Sequence, residues 1–364
     1  MIAKSLELTN YRNYDNQKIS FSPNLNVLVG KNAQGKTNML EGIFLCAIGR
    51  SPRTTKDKEL IKWDATFSKI KLEVEKNIGN KKIELYLFNN QNKAIKIDGI
   101  GIKKLGELFG EFNAVYFSPD ELKLIKESPD ERRRFMDIDL SQFSKQYFYN
   151  LSKYNEILAQ RNKLLKTTVD PKIIKDTIPI WNEELSKVGA NIILDRMSLI
   201  DKLKVYAKDI HKYITDNAEE LEISYAGFTA KDYESLKTLL LTKYEEALDK
   251  DMHLGYTTVG PHRDDIKIVS NGIDLRSFGS QGQQRTAALS LKLAELEVFK
   301  DNLGEYPVLL LDDVLSELDD DRQLKLLTHI QPLQTILTCT SFEIDVPHTA
   351  FIINDGAVLE NVEI

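Results

Sequence analysis

Eight consecutive residues near the N-terminus have the types and the spacing of a phosphate-binding loop. The segment Gly30-Lys31-Asn32-Ala33-Gln34-Gly35-Lys36-Thr37 matches the pattern G-x-x-x-x-G-K-[ST]. A predicted strand, 25–29, runs into it and a predicted helix, 36–48, follows it, which is the context that such a loop requires. We expect its backbone N–H groups and the helix N-terminus to surround nucleotide phosphates. Lys36 should reach the β- and γ-phosphates, and Thr37 should bind Mg²⁺.

Two adjacent acids at the end of an apolar run form a second candidate element. Val308-Leu309-Leu310-Leu311 predicts a buried parallel strand, and Asp312 and Asp313 follow it. Because open α/β sheets bind ligands outside the carboxyl ends of their strands, both acids should face the phosphate loop. We expect Asp312 to hold Mg²⁺ through water. Asp313 stands where ABC-type ATPases usually place a catalytic Glu that polarises the attacking water; a helix-capping or solvated carboxylate is the alternative.

A polar segment before a predicted helix, 285–299, is similar to the ABC signature, LSGGQ. It reads Ser280-Gln281-Gly282-Gln283 and lies about thirty residues before Asp312. Alone it is weak evidence, because small and polar residues are common at helix N-termini. The similarity implies that these four residues contact the γ-phosphate of ATP bound by a partner subunit. Ser316-Glu317-Leu318-Asp319, directly after the paired acids, resembles the D-loop, with Ser316 and Asp319 as its site residues.

The elements that must position these motifs lie at the two ends of the sequence, so Lys36 and Asp312 are far apart along the chain. Small GTPases and RecA-like motors keep these motifs closer, whereas SMC-like heads separate them by a helical arm. We therefore predict an α/β fold: a P-loop NTPase of the ABC-ATPase head type, with a mixed sheet plus an antiparallel β subdomain and an inserted helical arm domain. The predicted head is 1–144 plus 255–364, and the predicted arm is 145–254.

Alternating patterns predict the strands of the head. Residues 5–21 read as β, and alternation around 70–74, 83–87 and 95–97 predicts an antiparallel meander. Further strands are predicted at 307–311, 335–339 and 350–353, the last followed by a hairpin turn at Asn354-Asp355-Gly356, and a helix is predicted at 319–330.

The predicted arm has apolar residues at spacings of three and four, typical of helices. The segment from Asp170-Pro171 to Ile178-Pro179 should divide it into two short antiparallel helices. Ordinary helices packed on the main core are the alternative.

The net charge of the 364 residues is −6, which argues mildly against nonspecific coating of nucleic acid. DNA binding would need a local patch, although each single patch is more often a solvated face. The candidate patches are Arg50, Arg53, Lys56 and Lys58; Lys103-Lys104; and Arg132-Arg133-Arg134.

Other features of the composition predict a cytoplasmic protein without a membrane partner. Cys46 and Cys339 lie in apolar runs far apart and are expected to be core residues rather than a disulfide or metal pair. No run approaches the roughly 18 apolar residues of a membrane span. The N-terminus has no apolar signal-peptide core.

Several blocks of the sequence resemble the RecF family of DNA-repair ATPases. They cover both ends of the chain and leave only the arm, roughly 145–250, without support. The blocks are Asn10-Tyr11-Arg12-Asn13-Tyr14, residues 28–38, Gly49-Arg50-Ser51-Pro52-Arg53-Thr54, residues 117–122, Arg132-Arg133-Arg134-Phe135, and residues 260–265.

This resemblance implies a protein of DNA repair, recombination, replication and the SOS response. Its cofactors would be ATP and Mg²⁺, with Arg12 and Asn13 also contacting ATP. An ATP-dependent homodimer would clamp double-stranded DNA near single-strand gaps and at ss/dsDNA junctions, with Arg50, Arg53 and Lys56 as candidate DNA contacts. It would help to load RecA together with RecO and RecR. A weak, DNA-stimulated ATPase activity, with Asp313 and Lys36 as catalytic residues, would act as a switch that releases it.

Two departures from the family pattern leave hydrolysis less defined than binding. Thr340-Ser341 replaces the usual switch histidine, His348 lies too far along the chain, and Gln142 is only a candidate for the Q-loop glutamine. Three other functional classes are alternatives that agree less well with the sequence. A short-armed SMC-like structural tether would need longer arms. The ATPase of a nuclease system would need an added metal-dependent nuclease domain. A transporter ATPase does not fit the long insertion or the missing histidine.

Overall fold

A computed structural model describes residues 1–168 and 170–363. They form two compact units, the first comprising Met1–Leu122 and the described residues from Lys292 onward, the second Lys123–Leu291. The boundary places 123–144 and 255–291 with the helices of the second unit, whereas the predicted head includes them. The predicted domain bounds therefore stay a prediction.

The elements of the chain alternate between strand-rich ends and a helix-rich middle. The N-terminal part contains β1 (Ile2–Tyr11), β2 (Tyr14–Ser20), β3 (Leu25–Val29), α1 (Lys36–Ile48), β4 (Phe67–Lys76), β5 (Gly79–Phe88), β6 (Ala94–Ile97), β7 (Ile100–Gly101) and β8 (Ala114–Phe117). The middle contains α2 (Lys123–Lys126), α3 (Pro129–Phe143), α4 (Lys145–Thr167), α5 (Pro171–Ile214), β9 (Leu221–Ala226), α6 (Tyr233–Glu246), α7 (Leu248–Leu254), β10 (Asp265–Ser270), β11 (Ile273–Asp274), α8 (Leu275–Phe278) and α9 (Gln281–Leu303). The C-terminal part contains β12 (Val308–Asp312), α10 (Asp320–His329), β13 (Thr335–Cys339), β14 (Thr349–Asn354) and β15 (Ala357–Glu363).

The first unit contains two six-stranded sheets. One is antiparallel, in the order β2-β1-β4-β5-β6-β7, and includes the predicted meander. The predicted β region at 5–21 is two strands rather than one run, because Asn10 and Arg12 adopt positive φ and turn the chain between β1 and β2. The other sheet has the order β15-β14-β3-β13-β12-β8, with β15 antiparallel at its edge. The predicted combination of a mixed sheet and an antiparallel β subdomain is present.

Helix α1 contacts strands of both sheets, and this explains why it is apolar on all sides. Every residue from Met39 to Ile48 is buried. Such a helix has no solvent face and belongs in a core. Since the phosphate loop lies directly before this helix, the packing of α1 fixes the position of the loop. Cys46 and Cys339 are buried free thiols in this unit, as predicted.

The second unit is mainly helical but contains a small sheet that the sequence reading missed. Strands β9, β10 and β11 are antiparallel, in the order β11-β10-β9. In β9, Leu221 and Ile223 are buried while Glu222 between them is exposed. This alternation was present in the sequence, within a stretch predicted to be helical throughout.

The prediction of two short helices separated at 170–179 was wrong at its second boundary. Helix α4 ends at Thr167 and Asp170 caps α5, but α5 continues through Pro179 to Ile214, a length of 44 residues. A proline inside a helix removes one backbone hydrogen bond. Here Ile174 and Ile178 are buried against Leu165 of α4, so apolar packing holds the turn that precedes the proline. No helix among residues 1–168 and 170–363 is both long and apolar enough to cross a membrane.

Candidate nucleotide-binding site

The loop between β3 and α1 has the backbone of a phosphate-binding loop. Ala33 and Gly35 both adopt positive φ, at 66° and 111°. A Cβ at Gly35 would lie 2.6 Å from the Asn13 amide nitrogen, and one at Gly30 would lie 2.3 Å from the Ile353 carbonyl oxygen. Glycine is therefore required at both positions, because any side chain would collide with these atoms. The pattern G-x-x-x-x-G-K-[ST] specifies the two glycines, but it does not identify Asn13 and Ile353 as the residues that would be hit.

Lys36 lies over this loop. Its Nζ donates to the carbonyl oxygens of Gly30, at 2.5 Å, and Lys31, at 2.8 Å. Burial lowers the pKa of the Lys36 ammonium, and the nearby charges of Asp313 and Asp312 partly oppose that effect. The structure thus places one cation beside the two predicted acids, where a phosphate chain would gain a charge-assisted contact.

The predicted magnesium residues touch each other. The Thr37 hydroxyl donates to Asp312 Oδ1 at 2.8 Å, at the C-terminal end of β12. Two further hydroxyls hold the same carboxylate: Thr338 donates to Oδ1 and Tyr116 to Oδ2, each at 2.8 Å. No cluster of three or more His, Cys, Asp or Glu able to hold a metal occurs in the described ranges. The Thr37 hydroxyl and the Asp312 carboxylate fit Mg²⁺, which takes oxygen ligands from one or two protein groups plus phosphates.

Asp313 is held by its backbone. Its φ is +53°, and its N–H donates to Thr338 Oγ1 at 2.9 Å. The predicted D-loop follows as a short 3-10 helix, Leu315–Glu317; Ser316 donates to the Asp313 carbonyl at 2.7 Å, and Asp319 caps α10. The carboxylate of Asp313 is therefore presented by a constrained turn, and Val314, not Asp313, is the N-cap of the short helix that follows. Its catalytic role, like the alternative of a solvated carboxylate, stays a prediction.

The two residues predicted to join the loop in contacting ATP have protein partners. Arg12 makes a two-pronged ion pair with the fully buried Glu41, with nitrogen–oxygen distances of 2.8 and 2.9 Å. Asn13 donates to the Gln34 carbonyl at 3.1 Å and accepts from Asn38 at 2.9 Å. Their role toward ATP stays a prediction; in the structure they brace the loop and the first turns of α1.

The hairpin turn between β14 and β15, predicted at 354–356, braces the loop from another direction. The Asp355 N–H donates to the Gln34 side chain at 2.6 Å, and the Gly356 N–H donates to the Gln34 carbonyl at 3.0 Å. Gln34 is therefore held through both its side chain and its main chain. The remaining loop residues, Lys31, Asn32 and Ala33, are exposed.

The signature segment lies in the second unit and begins α9. Ser280 and Gln283 form a reciprocal cap: the Gln283 N–H donates to Ser280 Oγ at 3.2 Å, and the Ser280 N–H donates to Gln283 Oε1 at 3.0 Å. Ser280, Gln281 and Gly282 are exposed. Gln283 also donates to Glu219 at 3.3 Å, a contact that no sequence motif signalled. The 23-residue helix that follows directs its positive end at this exposed turn.

The lysines and arginines predicted as DNA contacts differ in their exposure and in their partners. Arg50 is exposed, Arg53 contacts Asn38 and Glu41, and Lys56 pairs with Glu59 on the surface. The run at 132–134 does not form a continuous exposed patch. Arg132 is buried and bonded to Asp265, and Arg133 donates to the Asp264 carbonyl at 2.6 Å. Arg134, the third residue of the run, is exposed, because successive side chains of a helix point in different directions.

Three residues of the site were missed from sequence. Tyr116 and Thr338 hold Asp312, and Glu41 holds Arg12. Tyr116 directly precedes the block at 117–122 that carried the family resemblance, and Glu41 lies one helical turn after Thr37. Neither position had a motif of its own, since a buried acid or tyrosine is recognisable only through its partners.

The chain is similar to known proteins over nearly its whole length. A family model described as "RecF/RecN/SMC N terminal domain" matches residues 2–346. A Clostridium perfringens (strain 13 / Type A) protein named "DNA replication and repair protein RecF" is 47% identical over 343 residues, 94% of each chain. One with the same name from Clostridium botulinum (strain ATCC 19397 / Type A) is 48% identical, covering 94% of this chain and 93% of that protein.

Solved structures give the same result. A structure of the recombination mediator protein RecF with ATP in the RecFOR pathway matches with a TM-score of 0.89 and 38% identity, over 100% of this chain and 97% of that one. An Smc head domain bound to the C-terminal domain of ScpA, derived from Pyrococcus furiosus, matches with a TM-score of 0.58 and 16% identity, over 100% and 96%. The second likeness concerns the fold alone, and together they confirm the predicted fold class.

Proposed function

Because the chain belongs to the RecF/RecN/SMC family, and within it to the RecF DNA replication and repair proteins, we propose that it is an ATP-driven clamp on duplex DNA. In this proposal a cytoplasmic homodimer closes on DNA near single-strand gaps and helps to load RecA with RecO and RecR. A relative's description as a recombination mediator in the RecFOR pathway supports these partners. Slow ATP hydrolysis then releases the clamp.

The main support for the proposal is the hydrogen bond between Thr37 and Asp312, next to Lys36. The hydroxyl and carboxylate lie 2.8 Å apart although 275 residues separate them. Bound Mg²⁺ would neutralise phosphate charge. The chain's own part is to orient that charge with Lys36, the backbone N–H groups and the hydroxyls around Asp312. Thr37 and Asp312 would hold the ion.

Dimerisation is proposed because each chain has one phosphate loop and one exposed signature turn. In ABC-type proteins these two elements act on the same ATP from different subunits. An exposed helix N-terminus with a neutral cap, as at Ser280, suits the γ-phosphate of a partner's nucleotide. Two ATP molecules would then be bound between two copies of this chain.

Hydrolysis is proposed to depend on Asp313. Its backbone is fixed by Thr338, and it directly follows Asp312 at the carboxyl end of β12, the end of a strand at which such sheets bind ligands. It is one methylene shorter than the usual Glu, and Thr340-Ser341 replaces the switch histidine. Both features favour slow turnover.

Asp313→Asn should bind ATP normally, hydrolyse it roughly 100-fold or more slowly, and accumulate as a dimer on DNA, because general-base catalysis contributes about 10²–10⁴-fold. Phosphate release and sedimentation with DNA measure the two effects. Asp321→Asn, at an exposed acid of α10, is the matched control. Parental turnover in Asp313→Asn would assign water activation to another group.

DNA binding should depend on ATP, since a monomer of net charge −6 is not expected to hold DNA tightly. When two subunits close on one duplex, twice as many cations, Arg50, Arg53 and Lys56 from each subunit, would contact its phosphates. We expect affinity for duplex DNA to rise with ATP and fall steeply with salt, because cations bound to phosphates release counterions. No base-reading motif is evident, so binding should be insensitive to sequence.

A titration of one duplex with the protein in ATP, in ADP and without nucleotide, repeated across a salt series, tests the clamp. Equal affinity in all three states would remove the support for it, even with the ATP site intact.

A further inference from the structure

Trp63 is almost wholly in solvent. Its exposed fraction is 91%, the highest of any large apolar side chain in the described residues. A buried aromatic side chain removes about 150–250 Å² of surface from water, and an exposed indole loses the hydrophobic stabilisation that this burial would provide. None of the contacts described above for the nucleotide site involves it, so that site does not explain its exposure.

The backbone that carries Trp63 is firmly held. Trp63 and Asp64 form a turn closed by the Ala65 N–H and the Lys62 carbonyl, at 3.1 Å. Just before it, the Lys62 N–H donates to the Asn10 carbonyl and the Arg12 N–H donates to the Leu60 carbonyl, both at 2.8 Å. The indole is thus displayed from a turn tied to β1.

The sequence around the turn carries an excess of cations. Residues 50–66, hereafter the Trp63 segment, contain five Lys or Arg and three Asp or Glu within a chain of net charge −6. Of these cations, Arg50 and Lys58 are exposed, and Lys56 is 66% exposed although it pairs with Glu59. Lys62, adjacent to the indole, pairs with the exposed Asp15 at 2.6 Å. Phosphates could displace such surface pairs, which contribute little.

We infer that Trp63 is a stacking platform for an unpaired nucleobase, flanked by lysines and arginines that hold the adjoining phosphates. A rigid aromatic face beside cations is the arrangement by which proteins bind single-stranded nucleic acid without reading its sequence. Inside a duplex both faces of every base are covered by stacked neighbours, so this platform would favour the point where duplex becomes single strand. The inference rests on the proposed DNA clamp and supplies its junction preference.

The same turn is linked to the nucleotide site through one side chain. Arg12 donates from Nη1 to the Glu59 carbonyl at 2.9 Å and from Nε and Nη2 to Glu41 on α1. If ATP contacts Arg12, it therefore contacts a side chain that is also hydrogen-bonded to the Trp63 segment. Stacking should accordingly be strongest in the ATP state.

The test compares a blunt duplex with the same duplex carrying an oligothymidine tail at either end, both with ATP and Mg²⁺. Trp63→Ala should weaken binding of the tailed duplex roughly 5- to 150-fold, since base–aromatic stacking is lost, and change blunt-duplex binding by less than about twofold. Trp63→Phe should retain most of the tail preference. Ile78→Ala, at an exposed apolar residue of the β4–β5 turn, is the matched control.

A direct readout uses the fact that the chain has two tryptophans, Trp63 and Trp181. In Trp181→Phe, Trp63 emission should be quenched by the tailed duplex and not by the blunt one. Equal binding of the tailed duplex by Trp63→Ala and the parent would overturn the inference alone. Loss of the ATP-dependent dimer in Trp63→Ala would reassign the indole to a protein contact. A parent that binds neither DNA with ATP would overturn the clamp and the platform together.

Discussion

Lys36→Ala is expected to bind ATP roughly 10- to 150-fold more weakly than the parent, because a hydrogen bond to a charged group contributes about 1.5–3 kcal/mol. The ammonium now donates to the Gly30 and Lys31 carbonyls, and Lys36 as a whole residue is 7% exposed, so its side chain is already directed into the loop. Its pKa is lowered by burial. Bound phosphates would relieve that burial cost by pairing with the charge.

Calorimetric titration with a non-hydrolysable ATP analogue measures this loss. Lys103→Ala, at an exposed lysine of the same unit, controls for a general loss of charge. Lys36→Arg should retain much of the affinity but misplace the γ-phosphate, so its hydrolysis should fall more than its binding. Unchanged affinity in Lys36→Ala would reject the nucleotide site as assigned.

Ser280→Arg is expected to leave ATP binding intact and to block the ATP-dependent dimer. A long side chain forced into a packed interface costs about 1–3 kcal/mol, and a two-fold dimer contains two such sites. The dissociation constant of the dimer should therefore rise roughly 30-fold or more. Sedimentation velocity with ATP and Mg²⁺ measures it.

Two companion variants separate the interface effect from a local one. Ser280→Asp preserves a capping oxygen at the start of α9 but adds a negative charge, and it should also prevent dimerisation by repelling the partner's phosphate. Ser277→Arg, three residues earlier and equally exposed, should dimerise like the parent. A normal ATP-dependent dimer in both Ser280 variants would reject the composite site.

Local elements of this fold were predictable from sequence. Helix α1 has its predicted bounds, and β12 and β13 agree with prediction to within a residue, because a loop motif or an apolar run specifies each from neighbours in sequence. Strand β9 was missed because its short alternation lay among helical patterns. Pro179 was misjudged because the packing of Ile174 and Ile178 depends on α4 and α7, which local propensity does not report.

The candidate site shows the same division. The positions of Lys36, Thr37 and Asp312 follow from motifs, but the hydroxyls that fix Asp312 come from separate strands. Tyr116 is 196 residues from Asp312 in sequence, and Thr338 is 26 residues from it. Partners of this kind are set by strand order, and a single sequence contains no direct record of strand order.

The position of β3 has a consequence for the synthesis of the chain. This strand is made early, yet both of its neighbours in the sheet, β13 and β14, are made more than 300 residues later. At roughly 5–20 residues per second, a ribosome needs about 15–60 s to bridge that interval. Throughout it, a strand with three buried residues has two unpaired edges, which are templates for aggregation. The loop that β3 supports would thus acquire the Gln34 contacts made by Asp355 and Gly356 only after translation has passed Gly356, and a nascent chain would become competent for nucleotide only at that late stage.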